Sequence, residues 1–140
     1  MNGWAPSGNL AGMSKTILIA DDSPTQRRAL QRALVSLGHK LILAEDGEEA
    51  ERLAREHNPD LLVLDVVMPG KNGFALCREL RSEPEFASIP VIIVTSKDQD
   101  ADRFWGEKQG ADEYLVKPFE PEDLRVAVTR LLSRPPPEER

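Results

Sequence analysis

The chain has little cysteine, no excess of basic charge and no long apolar run. Cys77 is the single thiol among 140 residues, so no intrachain disulfide can form. That suits a reducing compartment, and the cytoplasm is the expected location. The net charge is -6 and no basic patch is visible to neutralise phosphates, which argues against a nucleic-acid partner. No apolar stretch approaches the length of a membrane span, so membrane insertion is not expected. The N-terminus lacks the basic-then-apolar order of a signal peptide. There is no internal repeat. No glycine-rich phosphate loop follows the first hydrophobic run, which lowers a flavin- or nucleotide-binding reading. The remaining class is a soluble globular chain long enough for one domain with a real core.

What is present is a set of hydrophobic runs that each end in a chemically useful residue. Ile17-Leu18-Ile19-Ala20 leads into Asp21-Asp22. Leu61-Leu62-Val63-Leu64 leads into Asp65. Val91-Ile92-Ile93-Val94 leads into Thr95, and Tyr114-Leu115-Val116 leads into Lys117-Pro118. Short continuous apolar runs rich in β-branched residues read as strands buried on both faces. In an open parallel sheet, ligands bind outside the carboxyl ends of the strands. Three carboxylates, a hydroxyl and an ammonium are therefore expected to meet at one sheet edge. Such a set can hold Mg²⁺ and accept a phosphoryl group on an aspartate.

Helical segments alternate with these runs. Ser23 can cap a helix that starts at Pro24 and buries Leu30, Ala33, Leu34 and Leu37, with Gly38 as its stop. A further strand spans Lys40 to Ala44. Asp46 can cap a helix facing inward through Ala50, Leu53 and Ala54, and Asn58-Pro59-Asp60 forms a turn. Pro69 to Gly73 is a loop before a helix carrying Phe74, Cys77 and Leu80. Another helix is expected from near Asp100 to Gln109, ending at Gly110. Its Phe104 and Trp105 are adjacent, so one packs on the sheet and the other lies at the flank, where Trp105 could touch a partner. The last helix starts near Pro121 and carries Leu124, Val128, Leu131 and Leu132. Five strand–helix units imply a parallel α/β sheet with right-handed crossovers. We expect a leader over 1–14, the domain over 15–132 and a disordered proline-rich tail over 133–140. His39 and His57 lie at loop ends without metal-ligand companions and are expected to be solvated. Cys77 reads as a small core residue.

Taken singly, each site residue has a plain explanation. Asp22 could help cap a helix, Asp65 could be a surface acid, Thr95 could simply be strand, and Lys117 could be a loop lysine. Together, and each at a strand end, they are hard to explain that way. The set Asp21-Asp22-Ser23, Asp65 with Met68-Pro69-Gly70 and Gly73, Thr95, and Tyr114 with Lys117-Pro118 closely resembles the receiver domain of two-component response regulators. The resemblance covers about Lys15 to Leu132. The stretch from Lys97-Asp98-Gln99 through Trp105-Gly106 to Gln109-Gly110-Ala111 also resembles single-domain regulators of twitching-motility chemosensory systems.

The resemblance implies a doubly wound five-stranded parallel sheet of the flavodoxin-like (βα)5 type, strand order 2-1-3-4-5. It implies that Asp65 accepts a phosphoryl group from a sensor histidine kinase or a phosphotransfer domain. Mg²⁺ would be bound by Asp22 and Asp65, by Asp21 directly or through water, and by the backbone carbonyl of Val67. Lys117 would pair with a phosphoryl oxygen and Thr95 would donate its hydroxyl to another. Tyr114 would swing inward, and the surface with Phe104 and Trp105 would meet a downstream protein. A cis Lys117-Pro118 bond is implied as well. Val67 and Lys97 occupy positions that tune loss of phosphate in the family. Such a protein is no enzyme beyond its own phosphorylation and dephosphorylation, and is a monomer or weak dimer. The resemblance implies that it either switches partner binding or drains phosphate, in motility or chemotaxis signalling. A phosphorylation-independent adaptor and a truncated receiver half of a transcription factor are the alternatives.

Overall fold

Each buried run becomes a strand, and each amphipathic segment between them packs a helix on one face of the sheet. The computed structural model describes residues 14–95 and 110–134. The elements run β1 (Thr16–Ala20), α1 (Pro24–Val35), β2 (Lys40–Ala44), α2 (Gly47–His57), β3 (Leu61–Asp65), α3 (Gly73–Arg81), a 3-10 turn (Pro84–Phe86), β4 (Val91–Thr95), β5 (Glu113–Val116) and α4 (Pro121–Leu132). All four strand pairings are parallel, and the order is β2-β1-β3-β4-β5. This is the expected doubly wound topology. The helix expected over 100–109, with Phe104, Trp105 and Lys97, lies outside the described residues.

Alternation along the central strands divides the core into two layers. Ile17, Ile19, Val63 and Ile92 face α1 and α4, meeting Leu30, Leu34, Leu124 and Val128. Leu18, Leu62, Leu64 and Ile93 face α2 and α3, meeting Ala50, Ala54, Leu76 and Leu80. Each large aliphatic side chain buried there contributes about 1.5–3 kcal/mol. The small alanines of α2 let that helix approach the sheet closely. Phe86, on the 3-10 turn, is almost fully buried and closes this layer from below.

Capping sets the helix starts. The Ser23 hydroxyl accepts from the Gln26 N–H at 3.2 Å, and Pro24 takes the first turn. The carboxylate of Asp46 caps α2 and the side chain of Asn72 caps α3, each at 2.8 Å. Helix α2 ends on Asn58 in the left-handed region, φ 47°, where asparagine is tolerated. Ser133 and Arg134, expected to begin the tail, still donate backbone N–H groups to α4 carbonyls.

At the pole where the strands begin, Arg81 ties several segments together. Its guanidinium donates to the carbonyls of Ala87, Ile89 and Gly110 and to the Asp112 carboxylate. The same Asp112 oxygen accepts from the Val91 N–H at 2.9 Å, so one carboxylate fixes the starts of β4 and β5. His39 departs from expectation. It is half-buried rather than solvated, its Nδ1 accepts from the Lys15 N–H at 3.0 Å, and burial lowers its pKa. His57 is exposed, as expected.

Candidate functional site

The carboxyl ends of β1, β3 and β5 deliver the acids and the ammonium to one place. Asp21 follows β1 and is fully buried. One of its carboxylate oxygens accepts from the Ser23 N–H at 2.9 Å, and the other accepts from the Lys117 ammonium at 3.1 Å. Its backbone is held too: the N–H reaches the Ala44 carbonyl, and the carbonyl accepts from Arg27 at 2.7 Å. Asp22 is exposed beside it. Asp65 ends β3 and is buried, with Lys117 at 3.6 Å. Carboxylate oxygens of Asp21, Asp22 and Asp65 all lie within 4.8 Å of one another.

Crowding like charges in a partly dry pocket has an electrostatic consequence. Burial pushes the Asp65 carboxyl up to about 6. The Lys117 ammonium opposes that rise, while Asp21 and Asp22 add to it. A cation among the three acids would relieve the repulsion. The donor set is all oxygen, with one exposed and two buried acids, which suits a hard divalent ion that keeps part of its water. The residues present therefore fit Mg²⁺. Both carboxylate oxygens of Asp21 already accept hydrogen bonds. The Val67 side chain is 54% exposed and points away from the core, and only its carbonyl could serve as a ligand.

The loop after Asp65 is fixed at both ends. The Gly73 N–H donates to the Val66 carbonyl at 3.1 Å. A Cβ on Gly73 would overlap the Asp65 carbonyl, and one on Gly47 would overlap that of Lys71, so α2 and α3 both press on this loop. The Lys71 ammonium pairs with Glu51 on α2 and with Glu79 on α3, at 2.5 Å for the latter.

The two expected switch residues occupy neighbouring strands. Asp65 is in register with Val94, which places Thr95 one step beyond it at the end of β4, fully buried. The Thr95 carbonyl accepts from the Lys117 N–H at 2.6 Å, linking β4 to the lysine that follows β5. The Lys117-Pro118 bond is cis, as the resemblance implied. Tyr114 lies mid-strand on β5, half-buried against the α3-side layer. Asp21, Asp22, Asp65 and Lys117 thus converge, Thr95 adjoins them, and Tyr114 stands further down β5. Phe104 and Trp105 lie outside the described residues. Sequence reasoning missed Gln26, whose side chain accepts a hydrogen bond from Lys117, and Arg27. The only local signal for either was membership of the helical turn after the acidic pair.

The model of the response regulator receiver domain matches residues 17–129. Protein PilH of Pseudomonas aeruginosa is 46% identical over 117 residues, which are 84% of this chain and 97% of PilH. The probable transcriptional regulator ycf27 of Cyanophora paradoxa is 42% identical over 86% of this chain, but the match spans 49% of that regulator, about half its length. Among solved structures, the receiver domain of the Pseudomonas aeruginosa sensor histidine kinase PA1611 has a magnesium ion coordinated in its active site cleft. It matches with a TM-score of 0.80 and 28% identity, covering 86% of this chain and 99% of that one.

Proposed function

The chain belongs to the response regulator receiver domain family, and we propose that it acts as a stand-alone phosphorelay module. A sensor histidine kinase or phosphotransfer domain phosphorylates Asp65. The phosphorylated state then changes binding to a downstream protein or drains phosphate from the kinase. The protein acts on no substrate beyond its own aspartate. The observation that carries this reading is the buried Asp65 carboxylate standing 3.6 Å from Lys117 within a cluster of acids.

The residues divide the chemistry. An Asp65 carboxylate oxygen forms a bond to phosphorus as the donor's nitrogen–phosphorus bond breaks, and the electron pair leaves with the imidazole nitrogen. Lys117 is a point charge suited to a phosphoryl oxygen. Thr95, buried at the next strand end, donates its hydroxyl to another. Mg²⁺, held by Asp22, Asp65 and the Val67 carbonyl with Asp21 directly or through water, would supply positive charge against the repulsion between carboxylate and phosphoryl. The contribution of the chain is positioning and charge stabilisation.

Beside Lys117, Ala29, Leu30, Pro118 and Phe119 line a groove of about 330 Å³, an apolar ledge next to the site for a donor protein. The 46% identity to PilH across nearly all of its length, with the resemblance to twitching-motility regulators, supports a place in motility signalling. Among the described residues no helix is long and apolar enough to cross a membrane. We place the protein in the cytoplasm, where kinase phosphodonors are found. The receiver half of a transcriptional regulator is a second reading, favoured by the match to ycf27.

The test is incubation with acetyl phosphate or phosphoramidate and Mg²⁺, followed by intact mass. One phosphate adduct is expected on the wild type and none on Asp65→Asn. An adduct that persists in Asp65→Asn and maps away from neighbouring hydroxyls would overturn the assignment.

A further inference from the structure

We propose that Gln26 is a positioning residue for Lys117: its side-chain oxygen holds the ammonium so that a remaining N–H is aimed at the phosphoryl group on Asp65. The inference rests on the phosphorylation of Asp65 proposed above.

The argument begins with a count of donors. A lysine ammonium has three N–H groups and accepts nothing. Asp21 takes one at 3.1 Å, and the Gln26 Oε1 takes a second. The nearest Asp65 oxygen lies at 3.6 Å, close enough for Coulomb attraction and too far for a good hydrogen bond. Among the described residues one donor is therefore left over, and Asp65 is the other acid beside it. An oxygen that bonded to the Asp65 carboxylate through phosphorus would extend outward from that carboxylate and could meet it.

A lysine stem has four carbons and rotates freely unless held. Asp21 alone would fix one of three N–H groups and leave the ammonium swivelling about that bond. A second, neutral acceptor removes the swivel without adding negative charge where the phosphoryl arrives. A carboxylate at position 26 would hold the lysine as well but would repel the phosphoryl group.

Gln26 is itself well placed for this. Its backbone N–H is fixed by the Ser23 cap at 3.2 Å. The next residue, Arg27, donates to the Asp21 carbonyl at 2.7 Å. The first turn of α1 is thus tied to Asp21 on both sides, so Gln26 approaches Lys117 from a fixed base. Gln26 is exposed, and among the described residues its side chain meets Lys117 and the rim of the adjacent groove. Loss of that side chain therefore disturbs the lysine and the groove rim and leaves the core untouched.

Two variants, Gln26→Met and Gln26→Ala, test this on the full chain. The first readout needs no phosphorylation: the carbon–proton correlation of the Lys117 ε-methylene by NMR. A held lysine gives two resolved proton shifts in the wild type, and they collapse to one in both variants. The second readout is the rate of phosphorylation by phosphoramidate with Mg²⁺, expected to fall about fivefold, the worth of one modest hydrogen bond. Mg²⁺ affinity and the unfolding midpoint should stay at wild-type values. Unchanged Lys117 signals would overturn the holding role. A collapse without a slower rate would overturn the positioning role. A slower rate accompanied by lost Mg²⁺ affinity or stability would also overturn it, as damage to the site at large. A small phosphodonor is used so that partner docking at the adjacent groove cannot account for the loss. If the wild type takes up no phosphate, the proposed function fails and the positioning role fails with it, while the Lys117 signals still judge the contact alone.

Discussion

Gly73 packs against the backbone carbonyl of Asp65 so closely that a β-carbon at that position would overlap the oxygen. Helix α3 therefore begins directly against the end of β3, and the loop between them is folded back on itself. Gly73→Ala forces either the helix start or the Asp65 backbone to move. Overpacking of this kind costs about 1–3 kcal/mol. The denaturation midpoint in urea should fall accordingly, with the slope unchanged. An alanine variant as stable as the wild type would mean that the loop yields easily.

Ionisation of Asp65 sets a pH dependence. Its carboxyl is raised from 3.8 to about 6 in the folded, metal-free chain, chiefly by burial. The folded state thus holds this proton more tightly than the unfolded chain does. From this group alone, stability falls as pH rises from about 4 to about 6 and is level above that. With about 1.4 kcal/mol for each tenfold difference, the ionised group costs the metal-free fold on the order of 2–3 kcal/mol at neutral pH. Asp65→Asn should accordingly unfold at a higher temperature than the wild type at about pH 7.5 without Mg²⁺. The gap should close below about pH 4, where the carboxyl is protonated in both states. Thermal melts across that range, read as the difference between the two proteins, make the check. A gap that widens towards acid would reverse the sign and refute the account.

Asp22 is the exposed member of the acidic cluster, so its loss can be separated from unfolding. Asp22→Ala should bind Mg²⁺ at least about tenfold more weakly by calorimetry, since one of few protein ligands is gone. Wild-type binding should also weaken below about pH 6, because a ligand carboxylate must be free of its proton. Equal affinity in the two proteins would remove Asp22 from the ligand set.

Much of this molecule could be read from its sequence because buried parallel strands and capped helices leave strong local marks. The run from Leu61 to Leu64 has no polar residue to place on a wet face, and it became the central strand. Ser23-Pro24 and Asp46 announced the starts of α1 and α2, and both caps formed as expected. The acids at the strand ends were legible for the same reason, since a parallel sheet brings its carboxyl ends to one edge. Contacts made across the fold left no such mark. Arg81 reads in sequence as a basic residue near a helix end, yet its guanidinium serves two carbonyls just beyond that helix and a third 29 residues away. Gln26 and Lys117 are 91 residues apart, and nothing local to either foretells their contact. Phe86 follows Pro84 and Glu85 in what reads as a polar connection, and only tertiary packing makes it core.

Asp21 and Lys117 are 96 residues apart in the chain, and that separation has a bearing on synthesis. All three acids leave the ribosome well before the ammonium that balances them. A nascent chain long enough to pair β1 with β3 holds Asp21, Asp22 and Asp65 close together before Lys117 has been made. Their mutual repulsion works against early closure of that edge, in addition to the slow search that long-range parallel pairing already demands. Docking of β5 brings Lys117 into place and releases that repulsion. The strand that completes the sheet is thus the one that makes the acidic edge tolerable, and a ribosome-stalled fragment ending before it should be the more easily cleaved by protease.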